Sequence, residues 1–271
     1  MPLLLLIPSV IQANLTTDVP EVPNIFTLLF HGDDLTPAQN FIHQWENIIF
    51  SLIAAVIISI IFCIGAKRNS IVPEGIQNAL EYFVELLQKI TSELLGPKGE
   101  KFVPFLGTLF IYILVMNWMV LIPFLKSPSS SLNITVALAM CVFAIVQYQS
   151  IKTFGLKGYF YHMAGSPSGA VGWAMVPLML PIELLTQFTR PMTLAFRLFG
   201  NVVGEDILIG AFALFGVTLF AASQLPIALP LQLPFMLFAL FTGFIQALVF
   251  TLMSTIYILL SMPEHDEQAP V

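Results

Sequence analysis

The chain has 271 residues, of which 57% are hydrophobic and only 10% charged, with a formal net charge of −6. A soluble domain carries roughly 25% charged residues, and one core of this size could not hide so much apolar surface. The mean hydropathy of +0.88 makes the bilayer the solvent, and the acidic balance without a basic stripe excludes a nucleic-acid partner.

The N-terminal stretch Met1 to Val10 is apolar but lacks the positive start of a signal peptide, so it reads as mature sequence. Residues 1–41 form an expected extracytoplasmic segment. A bilayer core of about 30 Å takes roughly 20 apolar residues of helix. The first such run is Ile48 to Ala66, closed by Lys67-Arg68. An amphipathic helix follows over 73–95, entered through Pro73 and stopped by Gly96-Pro97. Ile76, Leu80, Phe83, Leu87, Ile90 and Leu94 lie on one side and Gln77, Glu81, Glu85, Gln88 and Ser92 on the other. Its apolar face fits the cytoplasmic membrane surface or a partner helix, and the two are compatible. The second run is Phe102 to Leu125 and the third Ile134 to Ile151. The fourth extends from Gly172 to Ala222, broken by Pro177, Pro181 and Pro191. The fifth runs from Leu231 to Leu260, after a turn around Pro226 and Pro230.

The last two runs exceed the bilayer thickness and therefore predict a long, tilted hairpin. The expected fold is an all-α polytopic membrane protein: five transmembrane segments with a long tilted C-terminal helix hairpin, plus one amphipathic surface helix. The membrane domain covers 42–262 and a cytoplasmic tail 263–271. Basic residues set the orientation. Lys67, Arg68, Lys89, Lys98 and Lys101 lie between spans one and two, and Lys152 and Lys157 follow span three. Only Lys126 lies in the opposite loops, while Asp18, Glu21, Asp33, Asp34 and Glu46 precede span one. The N-terminus is expected outside and the C-terminus in the cytoplasm. Cys63 and Cys141 fall in different apolar runs and read as packed small residues. No spacing suggests a metal site, a cofactor or a catalytic nucleophile.

The most informative residue is Arg197, inside Leu194-Ala195-Phe196-Arg197-Leu198-Phe199-Gly200-Asn201. A guanidinium at mid-bilayer costs about 3 kcal/mol on insertion scales and stays charged. Apolar sequence continues well beyond it, which argues against snorkelling to an interface. At 100° per residue, Glu183, Arg190, Arg197, Asn201 and Glu205 share a sector of about 80°, and Glu183 to Glu205 rises roughly 33 Å. An acid thus lies toward each end of one polar face, with Arg197 between. Span five offers Thr242, Gln246, Thr251, Ser254, Thr255 and Tyr257. Gln246, near its middle, fits either an interhelical bond worth about 0.6 kcal/mol or a partner for a group facing Arg197.

Phe196-Arg197-Leu198-Phe199-Gly200-Asn201, followed by Gly243-Phe244-Ile245-Gln246-Ala247-Leu248-Val249-Phe250, resembles the membrane-embedded subunit a of rotary F-type ATP synthases. The resemblance covers roughly Asn40 to Met262, is supported by Asn117-Trp118 and Tyr257, and in the C-terminal half is greatest to bacterial and chloroplast members. It implies a stator that conducts protons through two offset half-channels beside a rotating ring of c subunits. Each ring subunit bears one membrane carboxylate, and peripheral-stalk b subunits and the lipid bilayer are further partners. No catalytic site, cofactor or metal is implied in this chain, and a bacterial inner membrane is the expected location. Arg197 would meet the ring carboxylate and block direct leakage. A fixed cation favours the deprotonated carboxylate and so drives proton release.

The resemblance carries over to Asn201 and Gln246, to Glu183 on the cytoplasmic channel, and to Arg190 at a position basic in several relatives. For the outer channel, family spacing points to Asp206, whereas helix geometry prefers Glu205, since Asp206 lies about 180° from Arg197. Both stay open. Two family positions differ: a histidine or acid in some relatives is Ala239 here, and an aspartate in some is Val120. Two other classes fit a buried arginine: an ion-coupled transporter with an internal Arg–Glu pair, and a structural subunit of another membrane complex. The transporter would favour internal inverted repeats, which the chain lacks.

Overall fold

A computed structural model describes residues 45–66, 75–122, 125–165, 169–223 and 231–262. Among the described residues every regular element is helical. They are α1 (Glu46–Ala66), α2 (Ile76–Leu95), a 3-10 helix over Pro97–Phe102, α3 (Val103–Trp118), 3-10 turns at Met119–Leu121 and Pro128–Ser130, α4 (Leu132–Met163), α5 (Gly169–Ser223) and α6 (Leu233–Leu260). Five stretches are long and apolar enough to cross a membrane: Glu46–Gly65, Gly99–Leu121, Leu132–Tyr161, Gly172–Gly216 and Leu233–Leu260. Hydrocarbon offers no hydrogen bonds to a bare backbone, and a helix satisfies its own, so apolar runs of this length become helices. The chain is an all-α multi-pass membrane protein, as expected.

Three boundaries differ from the sequence reading. The second span ends earlier than Leu125: α3 passes into a 3-10 turn at Met119, and Ile122 is extended at φ −87 and ψ 118. Ile122 precedes a proline, whose ring disfavours helical geometry in the residue before it. The third helix continues past Ile151 to Met163, but Gly155 leaves helical geometry at φ 69 and ψ 168. A residue without Cβ takes that left-handed backbone readily, so the chain turns there. In the fourth run, Pro177, Pro181 and Pro191 lie inside one continuous helix and do not break it. Each lacks an N–H and frees the carbonyl four residues earlier, a loss that membrane helices tolerate through local rearrangement and neighbouring hydroxyls. Along this stretch the threonine hydroxyls bond backward to the helix, as Thr189 does to the Leu185 carbonyl at 2.7 Å and Thr193 to that of Thr189 at 2.8 Å.

Cys63 and Cys141 are exposed, not packed; in lipid a thiol serves as a small apolar surface group. The N-terminal segment, Lys67-Arg68, Pro73, the turn around Pro226 and Pro230, and the tail 263–271 lie outside the described residues.

The chain divides into two compact units. The first contains α1, α3 from Phe110 onward with the turns after it, α5 from Leu198 and α6 as far as Leu248. Here Ala239, Gly243 and Ala247, spaced by four, are buried along α6. Small residues let helices approach closely. The Asn117 amide donates to the Gly243 carbonyl at 3.2 Å, and the Trp118 indole to that of Leu240 at 3.0 Å. The Tyr112 hydroxyl donates to the Ser51 carbonyl at 3.3 Å, so the Ser51 hydroxyl supplies the proton between the two side chains and ties α1 to α3. Phe212 stacks on Phe235 at 3.9 Å between centroids, joining α5 and α6.

The second unit contains α2, α3 up to Leu109, α4 from Thr135, α5 up to Arg197 and α6 from Val249. Leu95, Phe102, Leu106 and Ile258 form its core, with Phe105, Ile145, Val146 and Met262 against them. On α2 the buried stripe is Leu87, Thr91 and Leu95, while Leu94, expected on the apolar face, is exposed. The covered face is rotated toward Leu95 because Gly96 ends the helix at φ 67 and the following 3-10 helix folds back beneath it. A Cβ on Gly99 would lie 2.5 Å from the Leu95 Cβ, whereas one on Gly243 would lie 3.2 Å from the Asn117 Cβ. Gly99→Ala should therefore cost about 1–3 kcal/mol through overpacking, and Gly243→Ala about 1 kcal/mol or less. Thermal midpoints of the two purified variants should rank in that order, and equal midpoints would contradict it.

Candidate functional site

Each unit holds one constellation of polar side chains. In the second unit, a cavity of about 270 Å³ opens among α4, α5 and the end of α6. Three of the sequence-derived candidates, Glu183, Arg190 and Tyr257, line it together. Glu183 and Arg190 are seven residues apart on α5, two helical turns on one face. Arg190 holds its guanidinium 5.6 Å from the centre of the Tyr257 ring, a cation–π distance that fixes the cation on one wall.

The same cavity holds residues that sequence reasoning did not single out. Gln147 donates to Gln187 Oε1 at 2.9 Å. The Tyr159 hydroxyl lies 2.8 Å from Gln147 Oε1 and 3.0 Å from Gln187 Oε1. Ser150 adds a further hydroxyl to the lining. Gln187 was within reach of the helical arithmetic, since it lies four residues after Glu183 and three before Arg190. Tyr159 and Gln147 gave no such signal, because they meet only through the turn at Gly155.

Arg197 ends this unit's portion of α5 and is exposed, while Leu194, Ala195 and Leu198 around it are buried. Among the described residues it has no hydrogen-bonded or ion-paired partner. A bare guanidinium in an apolar helix is costly, so its exposed side is where a counter-charge from elsewhere can reach it.

In the first unit, Glu205 is 5% exposed and is held by two donors on Oε1. Asn201, one turn earlier on α5, donates at 2.7 Å, and Thr242 on α6 donates its hydroxyl to the same oxygen. Asp206 is half-buried. Thr242 also lies 2.9 Å from the Phe238 carbonyl. Its single proton can go to one acceptor at a time. When Glu205 is ionised, the charged oxygen is the stronger acceptor. When Glu205 is protonated, it can donate to Thr242, whose own proton then turns to the carbonyl. The pair satisfies both protonation states without moving the backbone.

Gln246 is 7% exposed, and its Nε2 has no hydrogen-bond partner among the described residues. The bond from α6 to an acid of α5 is thus made by Thr242. The sequence reading named Thr242 only among the polar groups of span five and read Gln246 as an interhelical bond or a partner for a group facing Arg197. Thr242→Val, which keeps shape and removes the hydroxyl, should destabilise the protein by about 1 kcal/mol. A thermal midpoint in detergent equal to that of the parent would show that the bond contributes nothing.

Comparison with known proteins places the chain in a family. The family model described as ATP synthase A chain matches residues 48–259. An ATP synthase subunit a from Protochlamydia amoebophila (strain UWE25) is 51% identical over 250 residues, covering 92% of each chain. One from Sulfurihydrogenibium sp. (strain YO3AOP1) is 34% identical over 79% of this chain and 95% of its own. ATP synthase subunit a 1 of Syntrophotalea carbinolica is 38% identical over 71% and 75%. The matched region spans all five membrane-crossing stretches almost end to end, including both polar constellations and Arg197. With a family model over most of its length and a half-identical relative over nearly all of it, the chain belongs to the ATP synthase A chain family.

Proposed function

We propose that this chain is the proton-translocating stator subunit of an F-type ATP synthase and that it carries protons through two half-channels beside a rotating ring of c subunits. The observation that carries this reading is Arg197: a charged, exposed side chain on a membrane-crossing helix, without an ionic partner among the described residues. A carboxylate arriving from another chain compensates that charge for as long as it stays. The arginine favours the deprotonated form of that carboxylate and so promotes proton release. It also opposes a proton crossing straight from one channel to the other.

The cavity around Glu183, Arg190 and Tyr257 serves as the cytoplasmic half-channel. Glu183 exchanges protons with water there, and Arg190, held over Tyr257, sets the local field without binding the acid in a closed pair. Glu205 is the acid of the outer half-channel, because Asn201 and Thr242 hold its carboxylate through both protonation states. Asp206, next to it, leads toward the outer surface. Gln246, with N–H donors unused among the described residues, offers them to the ring carboxylate as it passes. Peripheral-stalk b subunits hold the chain still, with α2 lying at the cytoplasmic face of a bacterial inner membrane, the N-terminus outside and the C-terminal tail inside.

The direct test is Arg197→Ala in membrane vesicles that contain the whole complex. ATP-driven proton pumping should be abolished while the subunit still assembles. Pumping at the normal rate would overturn the reading.

A further inference from the structure

The cavity beside Glu183 has a wall that the two-channel reading does not use. Its residues are Gln147 on α4, Gln187 on α5 and Tyr159, which follows the turn at Gly155. In an unbroken helix, residues twelve apart are separated by about 18 Å along the axis. Gly155, at φ 69 and ψ 168, instead brings Tyr159 back so that its hydroxyl is 2.8 Å from Gln147 Oε1. The same hydroxyl is 3.0 Å from Gln187 Oε1, and that oxygen also accepts from Gln147 Nε2 at 2.9 Å.

The proton count of this cluster is uneven. A phenol has one proton to donate, and two amide oxygens lie within reach of it. Whichever oxygen it serves, the other bond goes unmade. The hydroxyl oxygen also keeps lone pairs that can accept. An amide carbonyl accepts and an amide nitrogen donates, but neither group exchanges the two roles. The hydroxyl is the one member of the trio that accepts and donates through a single atom. It therefore has two settings, toward Gln147 and toward Gln187, on the wall of a cavity that contains an acid.

We propose that Tyr159 is a positioning residue for proton exchange at Glu183: turned back at Gly155 and held by Gln147 and Gln187, its hydroxyl orders the cavity water through which Glu183 gains and loses protons. This rests on the reading of the cavity as the cytoplasmic proton path. The two settings let the hydroxyl follow a water that reorients between proton transfers. A phenyl ring at the same place would fill the wall and leave the water without that partner.

The test uses the complete complex reconstituted in vesicles, with the water-soluble sector stripped to expose passive proton conductance through the membrane sector. Tyr159→Phe should lower the conductance about three- to tenfold. It should also raise the ratio of conductance in H2O to that in D2O, since transfer past the gap becomes limiting. Gln187→Leu should do the same, and the double variant should be no worse than the stronger single one, because both remove one network. The cavity reading is checked separately with Ser150→Cys, which a membrane-impermeant thiol reagent should label from the cytoplasmic side.

Labelled Ser150→Cys combined with parental conductance in Tyr159→Phe overturns the inference and leaves the channel reading standing. Lower conductance at an unchanged isotope ratio, or additive losses in the double variant, is the mark of a purely structural role and also overturns it. Ser150→Cys inert from the cytoplasmic side removes the channel reading and this inference with it. Should Tyr159→Phe fail to assemble, Gln187→Leu, which leaves the phenol in place, is read in the same way.

Discussion

In hydrocarbon no water takes up a hydrogen bond that the protein leaves unmade, and nearly every feature of this chain answers to that constraint. The backbone answers it with helices. Side chains answer it by finding carbonyls: Trp118 and Asn117 reach the backbone of α6 at Leu240 and Gly243, and threonines on α5 bond back to their own helix. Carbonyls that already accept one helical bond can accept a second, so these contacts satisfy a polar side chain without opening the helix. Where three prolines remove donors from α5, the helix continues through them. Against that background, a polar group without a partner among the described residues stands out, and Arg197 and Nε2 of Gln246 are two such groups.

The two constellations use the same principle in different ways. Around Glu205, two donors converge on one carboxylate oxygen, and a second acceptor, the Phe238 carbonyl, takes the threonine proton when the acid no longer needs it. Around Glu183, the polar groups line a cavity instead of closing on the acid, and Arg190 is drawn aside over an aromatic face. A carboxylate whose donor can turn to another acceptor suits either protonation state. One at the edge of a cavity suits exchange with water. The difference follows from what stands opposite: a tight α6 segment carrying small residues in one unit, and in the other a wider space bounded by Phe143, Tyr159 and Tyr257.

Helical arithmetic accounts for most of the site residues that were legible early. Glu183, Arg190, Arg197, Asn201 and Glu205 recur on one face of α5 because 3.6 residues make a turn, and no tertiary contact is needed to see it. That arithmetic applies within one helix. It therefore could reveal Gln187 and could not reveal Thr242, Gln147 or Tyr159, which come from other helices or from beyond a break. It gave the apolar side of α2 that ends at Leu94 but not the stripe of Leu87, Thr91 and Leu95 that the chain itself covers, because the reversal at Gly96 depends on a glycine backbone and not on hydrophobic spacing.

The amino-acid sequence by itself determined the membrane as solvent, five crossings, the polar face of the long helix and the family through its two motifs. Each of these depends on composition, on the repeat of a single helix or on a contiguous motif, and all three are properties of a linear string. Only the tertiary structure decided that Thr242 is the residue of α6 that holds Glu205, that Asn117 and Trp118 grip the α6 backbone, and that Tyr159 returns to Gln147 and Gln187. Those pairings depend on how closely two helices approach and where a chain turns. Such distances are set by glycines at positions 243 and 155 acting through geometry, and a one-dimensional pattern does not contain them.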